Sequence, residues 1–352
     1  MPESWFVRPA TTADLDAVYD LAGQTGPGFT NLPHDRDALH ARLDRSQRSF
    51  EAQLSHPDDE LYMFVLQEAG SGRIGGTALI FSSVGTKKPF YSYKLTRLSQ
   101  HSRQLDRIVT TSVLNLVNDF AGASEVGGLF LIPELRRSGL GVLLARSRYL
   151  FMAMHRERFG KEVLTELRGW QEPEGVSPFW EGLTRRFFDL EFAEADRFHA
   201  LNGNQFIADL MPKHPIYTIL LPPEAQQAIG KPHASGAAAM KLLAAEGFRY
   251  DGYVDLFDAG PTMQANVDEL RAVKDGRSAM AFADPARSVE GKDTGQRMLL
   301  AAGRLLDFRA WRSTGQIEDE ARTIRLPASD MALGRLDDGD TAFFVTTPQG
   351  TN

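Results

Sequence analysis

The chain contains no cysteine. That absence removes disulfides, thiolate metal sites, cysteine nucleophiles and any cysteine-bound covalent intermediate. No Gly-x-Ser-x-Gly elbow occurs, so a serine-enzyme intermediate has no support. No H-x-x-x-H or carboxylate spacing suggests a metal. No uninterrupted apolar run is long enough to cross a bilayer, and Met1 to Leu21 carries charges throughout with no apolar core of a leader. A soluble, cytoplasmic protein with no membrane partner is expected. A net charge of −7 argues against nucleic acid as a partner. What the chain does have is 352 residues, 42% of them hydrophobic, enough for two or three compact units with real cores.

The most informative stretch is Val126 to Tyr149, VGGLFLIPELRRSGLGVLLARSRY. Leu129 to Ile132 reads as a buried strand and Pro133 stops it. Arg136 to Gly141 reads as a glycine-bearing turn that feeds a helix from near Val142 to about Phe159. Glycines let the backbone approach a ligand closely, and the unpaired N–H groups and dipole of a helix start favour an anion. A phosphate suits such a turn.

Trp5 to Pro9 reads as a short strand, followed by a helix in which Leu15, Val18, Tyr19 and Leu21 recur at helical spacing. Gly26 to Pro33 must be a loop, either lining a site or merely connecting. Asp37 to Phe50 predicts a second helix. Tyr62 to Leu66 and Ile74 to Phe81, joined by Gly70-Ser71-Gly72, predict a hairpin. Phe90 to Leu95 is a third strand, and Leu105 to Asn118 carries both strand and helix signals. Val163 to Leu167 is a strand holding Glu166. Ser177 followed by Pro178 opens a helix by serine capping, Ala234 to Ala245 is a helix ended by Gly247, and Tyr250 to Phe257 is a strand. Beyond Gly276 short strands around Met298 to Ala301, Asp307 to Arg312 and Phe343 to Thr346 suggest a β-rich end unit.

Several of these segments carry a resemblance. Arg136-x-x-Gly139-x-Gly141, directly after a strand and Pro133, is similar to the acyl-CoA pyrophosphate loop of the GNAT acyltransferase superfamily. Val7-Arg8-Pro9-Ala10 followed by Asp14-Leu15 looks like that superfamily's first strand and helix. Longer strings resemble the arginine N-succinyltransferase family: Pro89-Phe90-Tyr91-Ser92-Tyr93, Glu166-Leu167-Arg168-Gly169, Ser177-Pro178-Phe179-Trp180, Phe206 to Tyr217, and Tyr253 to Pro261. The resemblance extends to about Val273; after about Gly276 the chain matches poorly and is shorter than the family leads one to expect.

The resemblance implies an α/β (α+β) fold, a GNAT-like mixed central sheet flanked by helices, with a small C-terminal β-rich or barrel-like unit. The expected division is residues 1–275, elaborated at about 182–275, and residues 276–352. It implies succinyl transfer from succinyl-CoA, a co-substrate and not a bound cofactor, to the α-amine of L-arginine by direct attack in a ternary complex. Ornithine or another amine as acceptor, or a non-catalytic CoA-binding subunit, are the alternatives. A homo- or hetero-oligomer with a related subunit is a further possibility.

In that frame Leu129, Phe130 and Leu131 would hold the thioester arm, with Leu129 the acyl-CoA contact carried over from the family. Arg136, Arg137, Ser138, Gly139, Leu140 and Gly141 would hold the pyrophosphate. A histidine at the position of His233 is the family's proton donor, and neutral imidazole titrates near working pH; its other reading is a helix-entry residue. His214 is the second choice, whereas His34, His40, His56, His101, His155 and His199 show no constellation. A guanidinium demands carboxylates, and Glu125, Glu166, Asp255 and Asp258 are the candidates, each of which also reads as a surface residue. Phe179 and Trp180 read as core residues shaping the pocket.

Overall fold

The computed structural model describes residues 4–25, 29–192, 194, 195, 197, 198, 205–284, 295–318, 320 and 322–347. Gly26 to Gly28 of the expected loop, and His199, lie outside them. The strands are β1 Trp5–Pro9, β2 Leu61–Glu68, β3 Ile74–Phe81, β4 Ser92–Ser102, β5 Arg107–Val117, β6 Ser124–Leu131, β7 Glu162–Glu166 and β8 Ile216–Tyr217. They continue with β9 Arg249–Val254, β10 Pro261–Asn266, β11 Arg277–Ala283, β12 Gln296–Ala302, β13 Arg309–Glu318, β14 Thr323–Leu326 and β15 Thr341–Thr346. Three helices flank the site: α1 Leu15–Ala22, α2 Arg36–Glu51 and α3 Leu140–Met154.

The central order is β1-β2-β3-β6-β7-β10-β9-β4-β5-β8. Leu61 to Leu66 of β2 are buried without alternation, the pattern of a strand covered on both faces. α2 begins where the Asp35 side chain accepts from the Ala38 N–H at 2.8 Å, and it buries Leu39, Leu43 and Phe50 at helical spacing. α3 starts two residues earlier than the sequence predicts, after Gly139 in the left-handed region (φ 79°), and ends at Met154 instead of about Phe159.

Two features open the sheet in the middle. β6 pairs in parallel with β7 at only Ser124↔Val163 and Glu125↔Leu164, after which the strands part. On its other edge β6 slips register against β3 between Thr77 and Leu79, where Gly128 has φ 55°. That is a bulge, and it turns the strand at the point where its neighbour leaves.

The ambiguous stretch Leu105 to Asn118 forms β5. It pairs with β4 in an 11-residue hairpin whose distal half is exposed on both faces, so no single period marks it. β10 starts at Pro261, which in the sequence reads only as the end of the preceding strand; proline is tolerated at the first residue of a strand.

The end unit is a closed barrel. β13, β14, β11, β15 and β12 follow in order, and β12 pairs back onto β13 from Gln296↔Gly315 to Ala302↔Arg309. Its core holds Met298, Leu300, Trp311, Ile324, Leu326 and Phe344. The barrel continues the central sheet, because β1 pairs with β13 at Phe6↔Trp311 and Val7↔Ala310.

Candidate active site

Each part of the stretch from Val126 to Tyr149 has a physical role in the turn it makes. A Cβ on Gly128 would lie 1.9 Å from Leu79 Cδ1, so the bulge needs glycine for space as well as for its positive φ. The Gly128 carbonyl accepts from Thr77 Oγ1 at 3.1 Å. Leu129 and Leu131 are half-buried and pack on the main core, while Phe130 is buried edge-on to Phe29 with ring centroids 6.1 Å apart.

Beyond Pro133 the Arg136 Nε donates to the Leu131 carbonyl at 3.3 Å, and Arg137 takes φ 69°. Ser138 Oγ accepts from the Leu140 N–H at 3.2 Å, which leaves the first-turn N–H groups of Gly141 and Val142 for a ligand. The positive end of α3 lies at these groups. A side chain on Gly139 would meet the Arg312 guanidinium of β13, whose Nη1 donates to the Ser138 carbonyl at 3.1 Å.

The carboxylates singled out from the sequence converge. Glu125 and Leu164 are bridge partners on adjacent strands, Glu166 lies two residues further along β7, and Thr262 stands opposite Glu166 on β10. Asp255 and Asp258 come from the loop between β9 and β10. Asp255 Oδ1 accepts from the N–H groups of Phe257 at 2.7 Å and Asp258 at 3.0 Å. Asp258 accepts from Gly169 N–H at 2.6 Å and Gly260 N–H at 2.8 Å. Burial pushes the Glu125 carboxyl up to about 7, helped by the charge of Asp255. Glu166 is raised well above the usual range by burial and by Asp255, Glu125 and Asp258. Asp258 is raised to about 7 by burial and by Asp255, against the two main-chain N–H groups that favour its charge. Such a cluster accepts a cation strongly, and until one arrives it holds protons.

Main-chain pairing sets His233 against Arg168, the residue before the Gly169 that donates to Asp258. The His233 N–H donates to the Arg168 carbonyl at 2.8 Å, and the Trp170 N–H donates to the Lys231 carbonyl at 2.9 Å, which fastens this loop along the extension of β7 past Glu166. Its Nδ1 accepts from the Ser235 N–H at 3.2 Å and lies 2.7 Å from Ser235 Oγ. With Nδ1 occupied as an acceptor, the neutral ring carries its proton on Nε2. Partial burial and the nearby Arg168 guanidinium hold the imidazole below its ordinary value, which favours the neutral ring. His214 is exposed just before β8, at the sheet's outer edge.

Phe179 and Trp180 are fully buried in a second core with Tyr93, Val254 and Phe257, behind the Asp255 loop. The Trp180 N–H donates to Ser177 Oγ at 3.3 Å, the serine cap read from the sequence. The helix continues from it as a π turn, Trp180–Thr184.

Asn31, Arg42 and Arg148, which meet or support β6, are not singled out in the sequence. A Cβ on Gly127 would lie 2.5 Å from Asn31 Nδ2 and 3.6 Å from Glu125 Oε1, so the loop after α1 lies over β6 beside the carboxylates and does more than connect. Arg42 pins that loop by donating to the carbonyls of Asn31 and Thr30. Arg148 of α3 donates to the Gly127 carbonyl at 3.3 Å. Nothing in the local sequence separates it from the other arginines of the helix; only burial does. Among the described residues no group of three or more histidine, aspartate or glutamate side chains has the geometry to hold a metal ion.

Comparison with known proteins gives concordant matches. Residues 5–272 match the family described as arginine N-succinyltransferase beta subunit, and residues 285–346 match that subunit's C-terminal domain. The chain is 43% identical over 271 residues to an arginine N-succinyltransferase of Enterobacter sp. strain 638, covering 77% of this chain and 78% of that one. It is 42% identical, with the same coverage, to one from Salmonella newport strain SL254. A solved structure, arginine/ornithine succinyltransferase subunit AI from Pseudomonas aeruginosa, superposes with a TM-score of 0.87. It is 32% identical and covers 98% of this chain and 99% of its own.

Proposed function

The chain belongs to the arginine N-succinyltransferase family, and from that premise we propose that it transfers the succinyl group of succinyl-CoA to the α-amine of L-arginine in arginine breakdown. It is an acyl-CoA-dependent N-acyltransferase with the GNAT-like mixed fold. The single observation that carries the choice of acceptor is the convergence of Glu125, Glu166, Asp255 and Asp258 where β6 and β7 part.

In this reading the pyrophosphate lies against the turn from Arg136, Arg137 and Ser138 to Gly139, Leu140 and Gly141. The thioester arm runs along Leu129, Phe130 and Leu131 where β6 bulges. Backbone N–H groups there polarise the thioester carbonyl. The guanidinium of arginine enters the carboxylate cluster, and a carboxylate whose affinity for a proton has been raised takes one from the α-ammonium. The free amine attacks the carbonyl carbon, the C–N bond forms, the C–S bond breaks, and the surplus proton on nitrogen leaves through a carboxylate or solvent as the CoA thiolate departs. His233 presents Nε2–H to the departing sulfur and offsets its charge. No covalent enzyme intermediate is involved.

A guanidinium is a planar fork that several carboxylate oxygens can meet at once, whereas the ammonium of ornithine is a point charge. Multiple converging carboxylates favour the fork. The similar Pseudomonas aeruginosa protein is named for both arginine and ornithine, so the two acceptors are compared directly. Thiol release from succinyl-CoA is measured with arginine, with ornithine and with neither. Arginine-dependent release is expected; release independent of any amine, together with tight CoA binding, would instead indicate a CoA-binding subunit. We further divide the chain at about residue 275 into the acyltransferase unit and the barrel. Gel filtration of the chain alone reads whether it assembles with itself or needs a related subunit. Among the described residues no helix is long and apolar enough to cross a membrane, and a cytoplasmic location belongs to the same proposal.

A further inference from the structure

We infer that Arg148 is the specificity residue that receives the distal carboxylate of the succinyl group, an inference that rests on the function proposed above. Arg148 is 3% exposed and sits in the interior of α3. Burying a guanidinium is costly unless an anion or a full set of acceptors meets it. The other arginines buried nearby obey this rule. Arg158 donates to the carbonyls of Ser49 and Ala52 and to Tyr62 Oη. Arg146 is paired with Glu246 at 2.7 Å.

Arg148 has only two acceptors among the described residues. Its Nε donates to the Ala145 carbonyl of its own helix at 3.1 Å, and its Nη1 to the Gly127 carbonyl at 3.3 Å. The Tyr149 ring lies 5.6 Å from the guanidinium carbon. Five N–H groups are available on an arginine, so much of the fork is left for an outside acceptor, and no carboxylate of the described residues supplies one.

Its location is the gap in the sheet. Gly127 is two residues past Glu125, the last β6 position bridged to β7, so the guanidinium lies where the strands part. Gly141, at the phosphate end of the same helix, is seven residues earlier, about 10 Å at 1.5 Å per residue. One helix would thus present its positive end to the pyrophosphate and a fixed cation to the acyl tail. The charges are also sorted. Asp255 acts on Glu125 and Asp258, and Asp255, Glu125 and Asp258 act on Glu166, while among the described residues Arg148 bonds only to main-chain carbonyls.

The test compares succinyl-CoA with butyryl-CoA, which has the same chain length but a methyl in place of the carboxylate. In Arg148→Met and Arg148→Gln the ratio of kcat/KM for succinyl-CoA over butyryl-CoA should fall about a hundredfold, from loss of a buried charge pair. Turnover of butyryl-CoA and KM for arginine should stay near wild type. Glutamine can still donate to the Gly127 carbonyl, so it keeps the test open if methionine disturbs folding. An unchanged ratio, or equal losses with both donors, would overturn the inference. Calorimetric titration of the two CoA esters into wild type and Arg148→Gln needs no acceptor. There, wild-type preference for succinyl-CoA that the variant loses supports the role of Arg148 even if arginine proves not to be the acceptor.

Discussion

Arg312, on the barrel strand β13, donates from Nη1 to the carbonyl of Ser138 at 3.1 Å. A side chain from near the end of the chain thereby holds the turn that precedes α3, and its charge adds to those of Arg136 and Arg137. Arg312→Ala should raise KM for succinyl-CoA about fivefold, the loss of one hydrogen bond of ~1 kcal/mol, and leave KM for arginine unchanged. Steady-state kinetics with each substrate varied would read this directly. Equal change in both constants would mean that the barrel does not act through the turn.

His233→Ala should lower kcat by more than about tenfold. Ser235→Ala tests the tautomer, because it removes one of the two groups that favour the proton on Nε2; a smaller loss, about threefold, is expected. Since burial and Arg168 both hold the imidazole down, its NMR titration should have a midpoint below 6.5, rising in Arg168→Met. A midpoint above 6.5 in wild type would contradict the geometry.

The carboxylate cluster fixes the sign of a stability change. Glu125 has an ordinary value of 4.5 and is raised to about 7 in the folded chain. Between these pH values the unfolded state has lost its proton while the folded state keeps it, so folding stability falls as pH rises from 4.5 to 7 and the full penalty remains above 7. Glu166 and Asp258 act in the same direction. Denaturant melts of Glu125→Gln should show a shallower decline over this window, and saturating arginine should reduce the decline in wild type. A slope unchanged by either would separate the cluster from the acceptor.

Two glycines with positive φ give a controlled comparison. At Gly128, φ 55°, an added Cβ meets Leu79 Cδ1 at 1.9 Å, whereas at Gly122, φ 85°, nothing lies within 4 Å. Gly122→Ala should cost only the backbone term, about 1 kcal/mol. Gly128→Ala adds overpacking and should cost about 2–4 kcal/mol, with a rise in KM for the acyl donor. Urea unfolding of the two variants measures the difference.

What could be read from the sequence was local. The strand, turn and helix from Val126 to Tyr149 were legible because Pro133, Gly139 and Gly141 act through the chain next to them, and the β2–β3 hairpin because its strands are separated by a glycine turn. The carboxylate cluster was legible as four candidates but not as one site. Glu125, Glu166, Asp255 and Asp258 come from two strands and a loop, and only sheet order brings them together. Arg148 and Arg146 look alike in sequence; one has Glu246 across from it and the other does not, a difference set by residues about 100 positions away. The distal part of the β4–β5 hairpin had no readable period because neither face is buried. Barrel closure was hidden in the short strands β11 and β14, whose pairing is parallel and therefore leaves no hairpin turn in the sequence.

The pairing of β1 with β13 also sets a schedule for synthesis. Phe6 and Val7 are made roughly 300 residues before their partners Trp311 and Ala310. At translation rates of about 5–20 residues per second, β1 waits on the order of 15–60 s for the strand that covers its outer edge. During that interval one edge of β1 stays unpaired, and Phe6, which the barrel core buries in the finished molecule, is left without that cover. The arrival of β13 ends that exposure.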